Sequence, residues 1–390
     1  MDETLRNAEG KGLEINFAVD SVASEKHPEW NEDSHYANPE TGVFAVFDGV
    51  SKSDDGKLSA ELASTTLKES DTESTQNMSD DGRRQNMMNF LKDANNRLLT
   101  ESSESGAVLQ TTATVAYVAR AGDGYKLLIG NVGDCRAYKF SGGSLEQVTI
   151  DDSLIRRQYS DPEKQRQVQS RFSNLTDPET LSTDERAIFQ KRAVITDCLG
   201  LSGMKPSIYE SQAQSGDSII LTSDGIHDNL TDAEIEKYAS MSSDPEVVKK
   251  SIMEAAISRS KQRGIHFRAK RDDMTVMAIM LGEKPTINDE KPEVATSVEP
   301  VKEEAKPEFN LSKGVAEAKS FDELFDAIDM VDGVEGTQVY YTSRQLISII
   351  EKVRNGEREV KSVTREAGLR NKVKELLEIE SERTRIIEME

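Results

Sequence analysis

The sequence VFAVFDGV, residues 43–50, decides the fold class, because an apolar run rich in Val and Phe ends directly in an Asp-Gly pair. Two later segments repeat this association of a strand with carboxylates. SIILTS, residues 218–223, leads into Asp224-Gly225, and Asp272-Asp273 immediately precedes MTVMAIML, residues 274–281. One Asp-Gly pair is usually only a turn. Three strand ends of this kind can deliver carboxylates to a single rim of a sheet.

Other short apolar runs of β-type composition surround these segments, with longer helical patterns between them. The predicted additional strands are TTATVAYVA (111–119), YKLLIGNV (125–132) and CRAYKF (135–140). The predicted helices are LSAELASTTLKES (58–70), RRQNMMNFLKDANNRLL (83–99), DAEIEKYAS (232–240) and PEVVKKSIMEAAISRSKQ (245–262). This mixture predicts an α+β protein with largely antiparallel strands.

A change of composition divides the chain. Residues 285–308 contain four of its ten prolines among acidic residues and no apolar periodicity, which predicts an extended linker. Residues 309–390 regain helical spacing, for example at Phe321, Leu324 and Ile328, and are predicted to form a small helical domain. The catalytic region is therefore expected within residues 1–284.

Composition and charge narrow the classes of function. A formal net charge of -22 repels phosphate backbones, which argues against a nucleic-acid partner. No apolar run is long enough for a membrane span, and the acidic N-terminus does not resemble a signal peptide. Two cysteines without CxxC spacing are typical of a reduced protein. We therefore expect a cytoplasmic protein without a membrane association.

Carboxylates gathered at one rim suit hard divalent cations. Mg²⁺ and Mn²⁺ prefer oxygen ligands in octahedral geometry, and backbone carbonyls can complete the coordination shell. Gly49 lets a ligand approach closely, so its carbonyl is a candidate ligand beside the Asp48 carboxylate. Bound cations would also allow an acidic protein to bind a phosphoryl group.

The ordered motifs of residues 13–283 resemble the protein phosphatase 2C family, also called the PPM-type phosphatases, and lean towards its bacterial branch. The segments that carry the resemblance are NEDSHY (31–36), FAVFDGV (44–50), TTATVAYV (111–118), NVGDCRAY (131–138), ITDCLG (195–200), LTSDGIHD (221–228) and RDDMTV (271–276). The resemblance implies two stacked antiparallel β-sheets flanked by helices. It also implies a pair of Mn²⁺ or Mg²⁺ ions at one end of this sandwich.

The resemblance assigns roles by motif position. Asp48 would bridge the two metals, the Gly49 carbonyl would add a ligand, and Asp224 and Asp272 would hold the second ion. Asp48, Asp224 and Asp272 are thus the expected catalytic carboxylates. Other residues would act through metal-bound water or at a third, weaker metal; these are Glu32 and Asp33, and Asp134 and Asp228, respectively.

The sequence departs from the family pattern at two positions. Val50 stands where eukaryotic members carry a histidine, so water would protonate the leaving group. Pro28 stands where the family often places a phosphate-binding arginine, which leaves Lys26 and His27 as candidate phosphate-binding residues. Residues 151–194 correspond to the polar flap that the family places near the site.

These observations predict hydrolysis of phosphoserine or phosphothreonine in proteins by a hydroxide that bridges two metals. The expected partner is a phosphorylated protein, and the helical domain at 309–390 is a candidate site for a regulator. The alternative, favoured by Pro28 and Val50, is a pseudophosphatase or phosphoprotein-binding regulatory module.

Overall fold

The computed structural model describes residues 13–50, 53–262 and 266–282. Within them, ten strands form two five-stranded antiparallel sheets. The first sheet has the order β1-β10-β9-β6-β7 and the second has the order β2-β3-β4-β5-β8. The strands are β1 (Ile15–Val22), β2 (Asp33–Asn38), β3 (Val43–Asp48), β4 (Ala113–Ala121), β5 (Gly124–Val132), β6 (Arg136–Ser141), β7 (Ser144–Gln147), β8 (Ser207–Ala213), β9 (Ser218–Thr222) and β10 (Met274–Leu281).

Helices cover the outer faces of the two sheets. The structure places helices over all four predicted helical segments and adds four others, of 4 to 12 residues. The helices are α1 (Gly56–Ser70), α2 (Asp80–Ser105), α3 (Leu154–Gln158), α4 (Pro162–Ser173), α5 (Thr183–Phe189), α6 (Asp224–His227), α7 (Asp232–Ala239) and α8 (Pro245–Ser260). The predicted α+β sandwich is confirmed. The predicted linker at 285–308 and the helical domain at 309–390 lie outside the described residues.

Both faces of strand β3 are apolar and buried. Val43, Ala45 and Phe47 pack in a cluster with residues of α1 and α2. Phe44 and Val46 point the other way, into a second cluster that contains residues from both sheets. Successive side chains of a strand point to opposite faces. A strand placed between a helix layer and a second sheet therefore has to be apolar throughout.

Helix caps fix where the main helices begin. The Asp55 side chain accepts a hydrogen bond from the amide of Leu58 at the start of α1, and Ser79 accepts from Gly82 at the start of α2. Thr231 begins α7 with a capping box to Glu234. Such side chains satisfy amides that the first helical turn leaves without partners.

The segment predicted as a polar flap, 151–194, contains α3, α4 and α5 and has a small apolar core of its own. Its buried residues are Ile155, Val168, Phe172, Leu175, Leu181 and Phe189. Arg268 fastens this segment to the rest of the protein. The buried Arg268 guanidinium donates hydrogen bonds to the carbonyls of Phe172, Ser173 and Leu175 at the end of α4.

The topology brings five chain segments to one end of the sandwich. Asp33 at the start of β2 is paired with Asp48 at the end of β3. In the other sheet, Thr222 at the end of β9 lies between Val276 of β10 and Arg136 of β6. The residues that follow β3 and β9, and those that precede β2, β6 and β10, therefore meet at this end.

A buried ion pair lies next to this end. Arg136 donates to Asp151 through Nη2, at 2.7 Å, and through Nε, at 3.0 Å. Its Nη1 also donates to Ser173 of α4 at 2.9 Å. Both members of the pair are buried. Removing one partner would leave an uncompensated charge in the interior.

We expect Arg136→Met to lower the free energy of unfolding by about 3 kcal/mol or more, because it leaves Asp151 buried and unpaired. Urea unfolding of the full chain measures this loss. The double variant R136M/D151L should lose less than the single variant. Arg84→Met, which breaks an exposed pair with Glu210, is the control and should cost less than about 1 kcal/mol. A similar small loss for R136M would contradict the prediction.

Candidate active site

Asp48 is fixed by hydrogen bonds to its backbone. Its amide donates to Thr112 Oγ1 at 3.1 Å, and its carbonyl accepts from the Thr112 amide and from Thr111 Oγ1, both at 2.8 Å. The carboxylate is left to face a cavity. Burial raises the pKa of Asp48 well above its ordinary value, and the neighbouring Asp33 and Asp224 add to this effect. A bound cation would therefore stabilise the charged form of Asp48.

Gly49 follows immediately, in a position without room for a side chain. A Cβ atom there would lie 2.3 Å from the carbonyl oxygen of Gly56. The Gly49 amide donates to the carbonyl of Glu32 at 3.0 Å. The close approach of two chain segments therefore explains why glycine follows the aspartate.

Asp33 lies behind Asp48 and is buried. Its Oδ2 accepts hydrogen bonds from Ser223 Oγ at 2.7 Å and from Thr275 Oγ1 at 2.6 Å. Its Oδ1 is buried and has no hydrogen-bond partner within the described residues. Burial raises the pKa of Asp33 from 3.8 to about 8, although the two hydroxyl donors oppose this rise.

Asp224 and Asp272 flank a lysine. Asp224 is the first residue of α6, and its Oδ2 forms an ion pair with Lys270 Nζ. Asp272 Oδ2 lies 3.2 Å from the same ammonium nitrogen. Asp224 Oδ1 is buried without a hydrogen-bond partner in the described part of the chain. Burial is the largest cause that raises the pKa of Asp224, to about 6, while Lys270 opposes it.

Asp134 and Asp228 extend the acidic cluster. Burial raises the pKa of Asp134 well above its ordinary value, and the negative charge of Asp224 raises it further. Asp228 behaves in the opposite way. Burial favours a higher pKa for Asp228, but the cations of Lys270 and Arg192 outweigh it and hold this pKa below its ordinary value. The charged form of Asp228 is thus stabilised by its neighbours, whereas the charged form of Asp134 is destabilised by burial and by its neighbours.

Glu32 is positioned through Asp273. The Asp273 carboxylate accepts from the amide of Glu32 and from the amide of Ser24, each at 2.6 Å. His27 Nδ1 lies 3.7 Å from Asp273, and its ring stacks on Trp30 with centroids 5.1 Å apart. Both oxygens of Asp273 thus accept backbone amides, which gives it a positioning role that sequence reasoning missed.

The two candidate phosphate-binding residues lie differently. His27 belongs to a group with Glu32 and Asp273 whose potential metal-ligand atoms lie within 4.8 Å of one another. The Lys26 side chain is exposed, and its amide donates to Ser24 Oγ at 3.3 Å. The structure therefore places His27 beside the carboxylates of Glu32 and Asp273, whereas Lys26 is exposed to solvent.

A cavity of about 160 Å³ joins the predicted metal ligands. Carboxylates and residues of the flap are among those that line it. The lining residues are Asp48, Gly49, Val50, Thr112, Asp134, Ala193, Val194, Ile195, Asp224 and Asp272. Glu32, Asp33 and Asp228 are near these residues but do not line this cavity. The set of oxygen donors and the unpartnered Oδ1 of Asp224 fit a hard divalent cation.

Sequence reasoning missed two cations of the site. Lys270 and Arg192 both contact Asp228. Arg192 lies in the predicted flap, but neither residue was predicted to have a role in the site. The one available signal was the lysine two residues before Asp272, in a basic loop that also contains Arg268 and Arg271. Which carboxylates Lys270 contacts depends on how β9 and β10 pair in the sheet.

A family model described as protein phosphatase 2C matches residues 24–257, which is more than half of the chain. The chain belongs to the protein phosphatase 2C family. It is accordingly a protein serine/threonine phosphatase, and its substrates are phosphoproteins. A curated relative, the probable protein phosphatase 2C 9 of Arabidopsis thaliana, is 28% identical over 244 residues, which cover 60% of this chain and 80% of the relative.

Solved structures of phosphatases share the fold. The serine/threonine phosphatase PstP of Mycobacterium tuberculosis is 21% identical, with a TM-score of 0.54 over 69% of this chain and 99% of that one. A structure of the PstP catalytic domain in complex with two manganese ions has a TM-score of 0.51 and 19% identity, over 69% of this chain and 99% of that one. These similarities support the two-sheet architecture of the described residues.

The raised pKa of Asp33 predicts how the metal-free phosphatase responds to pH. The folded chain holds a proton on Asp33 up to about pH 8, whereas an unfolded chain loses it near the ordinary value of 3.8. The folded state therefore binds more protons in this range, and its stability falls as pH rises. Between pH 7 and 8.5 we expect the free energy of unfolding in chelator to fall by about 1 kcal/mol.

Urea unfolding at a series of pH values tests this expectation. Asp33→Asn should reduce the fall, and what remains is the contribution of the other groups with raised pKa values, namely Asp48, Asp134, Cys135 and Cys198. Saturating Mg²⁺ should increase stability at every pH, because a ligand of the folded state stabilises it. A metal-free chain that gained stability from pH 7 to 8.5 would contradict the assignment.

Proposed function

We propose that this phosphatase hydrolyses phosphoserine and phosphothreonine with two divalent cations, Mn²⁺ or Mg²⁺, held by Asp48, the Gly49 carbonyl, Asp224 and Asp272. The observation that carries the proposal is that all four residues line one cavity at the end of the sandwich. The two manganese ions in the PstP catalytic domain, which has the same fold, support it. When bound, the cations supply a bridging hydroxide as nucleophile and neutralise the phosphoryl oxygens.

The residues around Asp48 keep its carboxylate in place. Thr111 and Thr112 hold its backbone, and the pairing of β2 with β3 places Asp33 beside it. Asp33 is itself held by the hydroxyls of Ser223 and Thr275. This arrangement supports an outer role for Asp33, in which it accepts a hydrogen bond from water and orients that water towards the cavity.

Glu32 is proposed for a similar role. Its carboxylate lies over the start of α1, where its oxygens are 3.3 Å from the position that a Cβ of Gly56 would occupy. Burial raises the pKa of Glu32, while His27 opposes the rise. A carboxylate in this environment can hold or accept a proton from water at the edge of the site.

Substrate contacts are proposed at the mouth of the cavity. Val50 lines the cavity with an apolar side chain at the position where eukaryotic members of the family carry a histidine. Solvent would therefore supply the proton of the leaving group. His27, at the acidic cluster, and Lys26, at the surface, are the proposed phosphate-binding residues. A lysine supplies a point charge without the bidentate fork of an arginine, so this binding would be weaker.

The alternative function, a pseudophosphatase or phosphoprotein-binding module, has one structural observation in its favour. Lys270 forms ion pairs with Asp224 and Asp272, which are two of the proposed metal ligands. A protein of this kind would bind a phosphoprotein without metal-dependent turnover. The hydrolysis assay below separates the two functions.

We expect Asp48→Asn and Asp224→Asn each to lower hydrolysis of a phosphothreonine peptide by about a hundredfold or more at saturating Mn²⁺, because each removes a charged metal ligand. Steady-state kinetics of the full chain measure the loss. Asp93→Asn, which changes an exposed aspartate of α2, is the control and should keep normal activity. Near-normal turnover in either site variant would refute the ligand assignment. Turnover by the unchanged protein in excess chelator would refute the metal mechanism.

We further propose that residues 285–308 are a linker and that residues 309–390 bind a regulator without entering the metal site. The described sandwich already contains every proposed ligand before residue 283, which supports this division.

A chain that ends at residue 284 should hydrolyse p-nitrophenyl phosphate at a rate similar to that of the full chain. This small substrate makes few contacts outside the metal site, so differences should appear only with protein substrates. Circular dichroism and metal analysis are the controls for folding and loading. A shortened protein that is folded and metal-loaded but inactive would show that the C-terminal region completes the site.

A further inference from the structure

Lys270 is placed among the carboxylates of the site like a cation. Its Nζ forms an ion pair with Asp224 Oδ2 and lies 3.1 Å from Asp228 Oδ2 and 3.2 Å from Asp272 Oδ2. A lysine ammonium carries three N–H donors and no acceptor, so it can donate to three carboxylates at once. Burial disfavours the charged form, but the aspartates outweigh it and raise the pKa of Lys270 well above its ordinary value.

Each oxygen of Asp228 already faces a cation. Its Oδ2 faces Lys270, and its Oδ1 accepts a hydrogen bond from Arg192 Nε at 3.0 Å. Arg192 comes from the flap, where its guanidinium also lies over the ring of Phe189 at 4.7 Å. Two cations from different parts of the chain therefore neutralise this carboxylate.

The space around Asp228 is small. A cavity of about 30 Å³, lined in part by Asp134, Asp224, Asp228 and Arg192, adjoins the larger cavity and shares Asp134 and Asp224 with it. This volume holds one or two waters. A divalent ion at Asp228 would have to displace an ion pair and lie within a few ångströms of the Lys270 ammonium. Repulsion from Lys270 would oppose its binding. Asp224 has a buried Oδ1 without a partner to offset this repulsion, whereas both oxygens of Asp228 already face cations.

We propose that the Lys270 ammonium permanently occupies the place of a third cation in this site, so that the phosphatase binds two divalent ions and not three. The proposal rests on the proposed function, because it assumes that Asp48, Gly49, Asp224 and Asp272 bind metal. Lys270 uses Oδ2 of Asp224 and leaves the buried Oδ1 of this residue for a metal ion. The lysine is thus a positioning residue that sets the number of metals.

The number of bound Mn²⁺ ions tests the proposal without reference to activity. Equilibrium dialysis of the full chain at millimolar Mn²⁺, followed by metal analysis, should give two ions per chain. Lys270→Ser should raise this number to three, because it frees Asp228 Oδ2 and leaves space for an ion and its waters. The double variant K270S/D228N should return to two. Lys250→Ser, which removes an exposed lysine of α8, is the matched control for charge.

The outcomes distinguish the proposed metal site from the proposed role of Lys270. Failure of the unchanged protein to bind any Mn²⁺ would refute the proposed metal site itself. Two ions in the unchanged protein and two in K270S would refute the role of Lys270 alone. Three ions in the unchanged protein would also refute it.

Amine labelling of the unchanged protein gives a second test that needs no variant. Acetic anhydride followed by peptide mass spectrometry compares Lys270, whose side chain is 18% exposed, with Lys250, which is 71% exposed. With Mn²⁺ bound, Lys270 should react about tenfold or more slowly than Lys250, because its ion pairs persist. If Mn²⁺ made Lys270 as reactive as Lys250, the metal would be displacing the lysine, and the proposal would be wrong.

Discussion

The mutual repulsion of buried aspartates is the constraint on which this end of the sandwich depends. Asp48, Asp134 and Asp224 all have raised pKa values, and each is affected by the charge of at least one neighbouring aspartate. Carboxylates are not gathered in this way to stabilise a fold, since burial and like charge both oppose it. The rest of the domain supplies the packing that holds them together: two apolar layers and the sheet-to-sheet core.

The compensation for this repulsion comes from groups of several kinds. Backbone amides of Ser24 and Glu32 stabilise Asp273, hydroxyls stabilise Asp33, and Lys270 bridges three other carboxylates. Apart from the contact of Lys270 with Asp272, which is two residues away, each of these donors comes from a segment distant in sequence from the carboxylate that it contacts. The site is therefore a product of the two-sheet topology, and local sequence alone does not form it.

This dependence explains what the sequence could predict. Asp48, Asp224 and Asp272 are recognisable because each adjoins an apolar strand, and these strands are fully or largely buried. Strands β1, β2, β7 and β8 were not predicted, because most of their residues are only half-buried or exposed and their polar residues hide the pattern. The partners of Lys270 and Arg192 depend on how the flap and the last strand meet the sandwich, which no local pattern records. The same holds for the apolar core inside the charged flap.

The position of Cys135 has a consequence for redox chemistry. This cysteine immediately precedes β6, and its sulfur accepts a hydrogen bond from Thr112 Oγ1, the same hydroxyl group that holds the backbone of Asp48. Burial raises the pKa of Cys135 well above its ordinary value and that of Cys198 to about 12. Oxidants attack the thiolate form of accessible cysteines. Both thiols remain protonated and shielded, so a phosphatase built in this way has no thiol that peroxide readily inactivates.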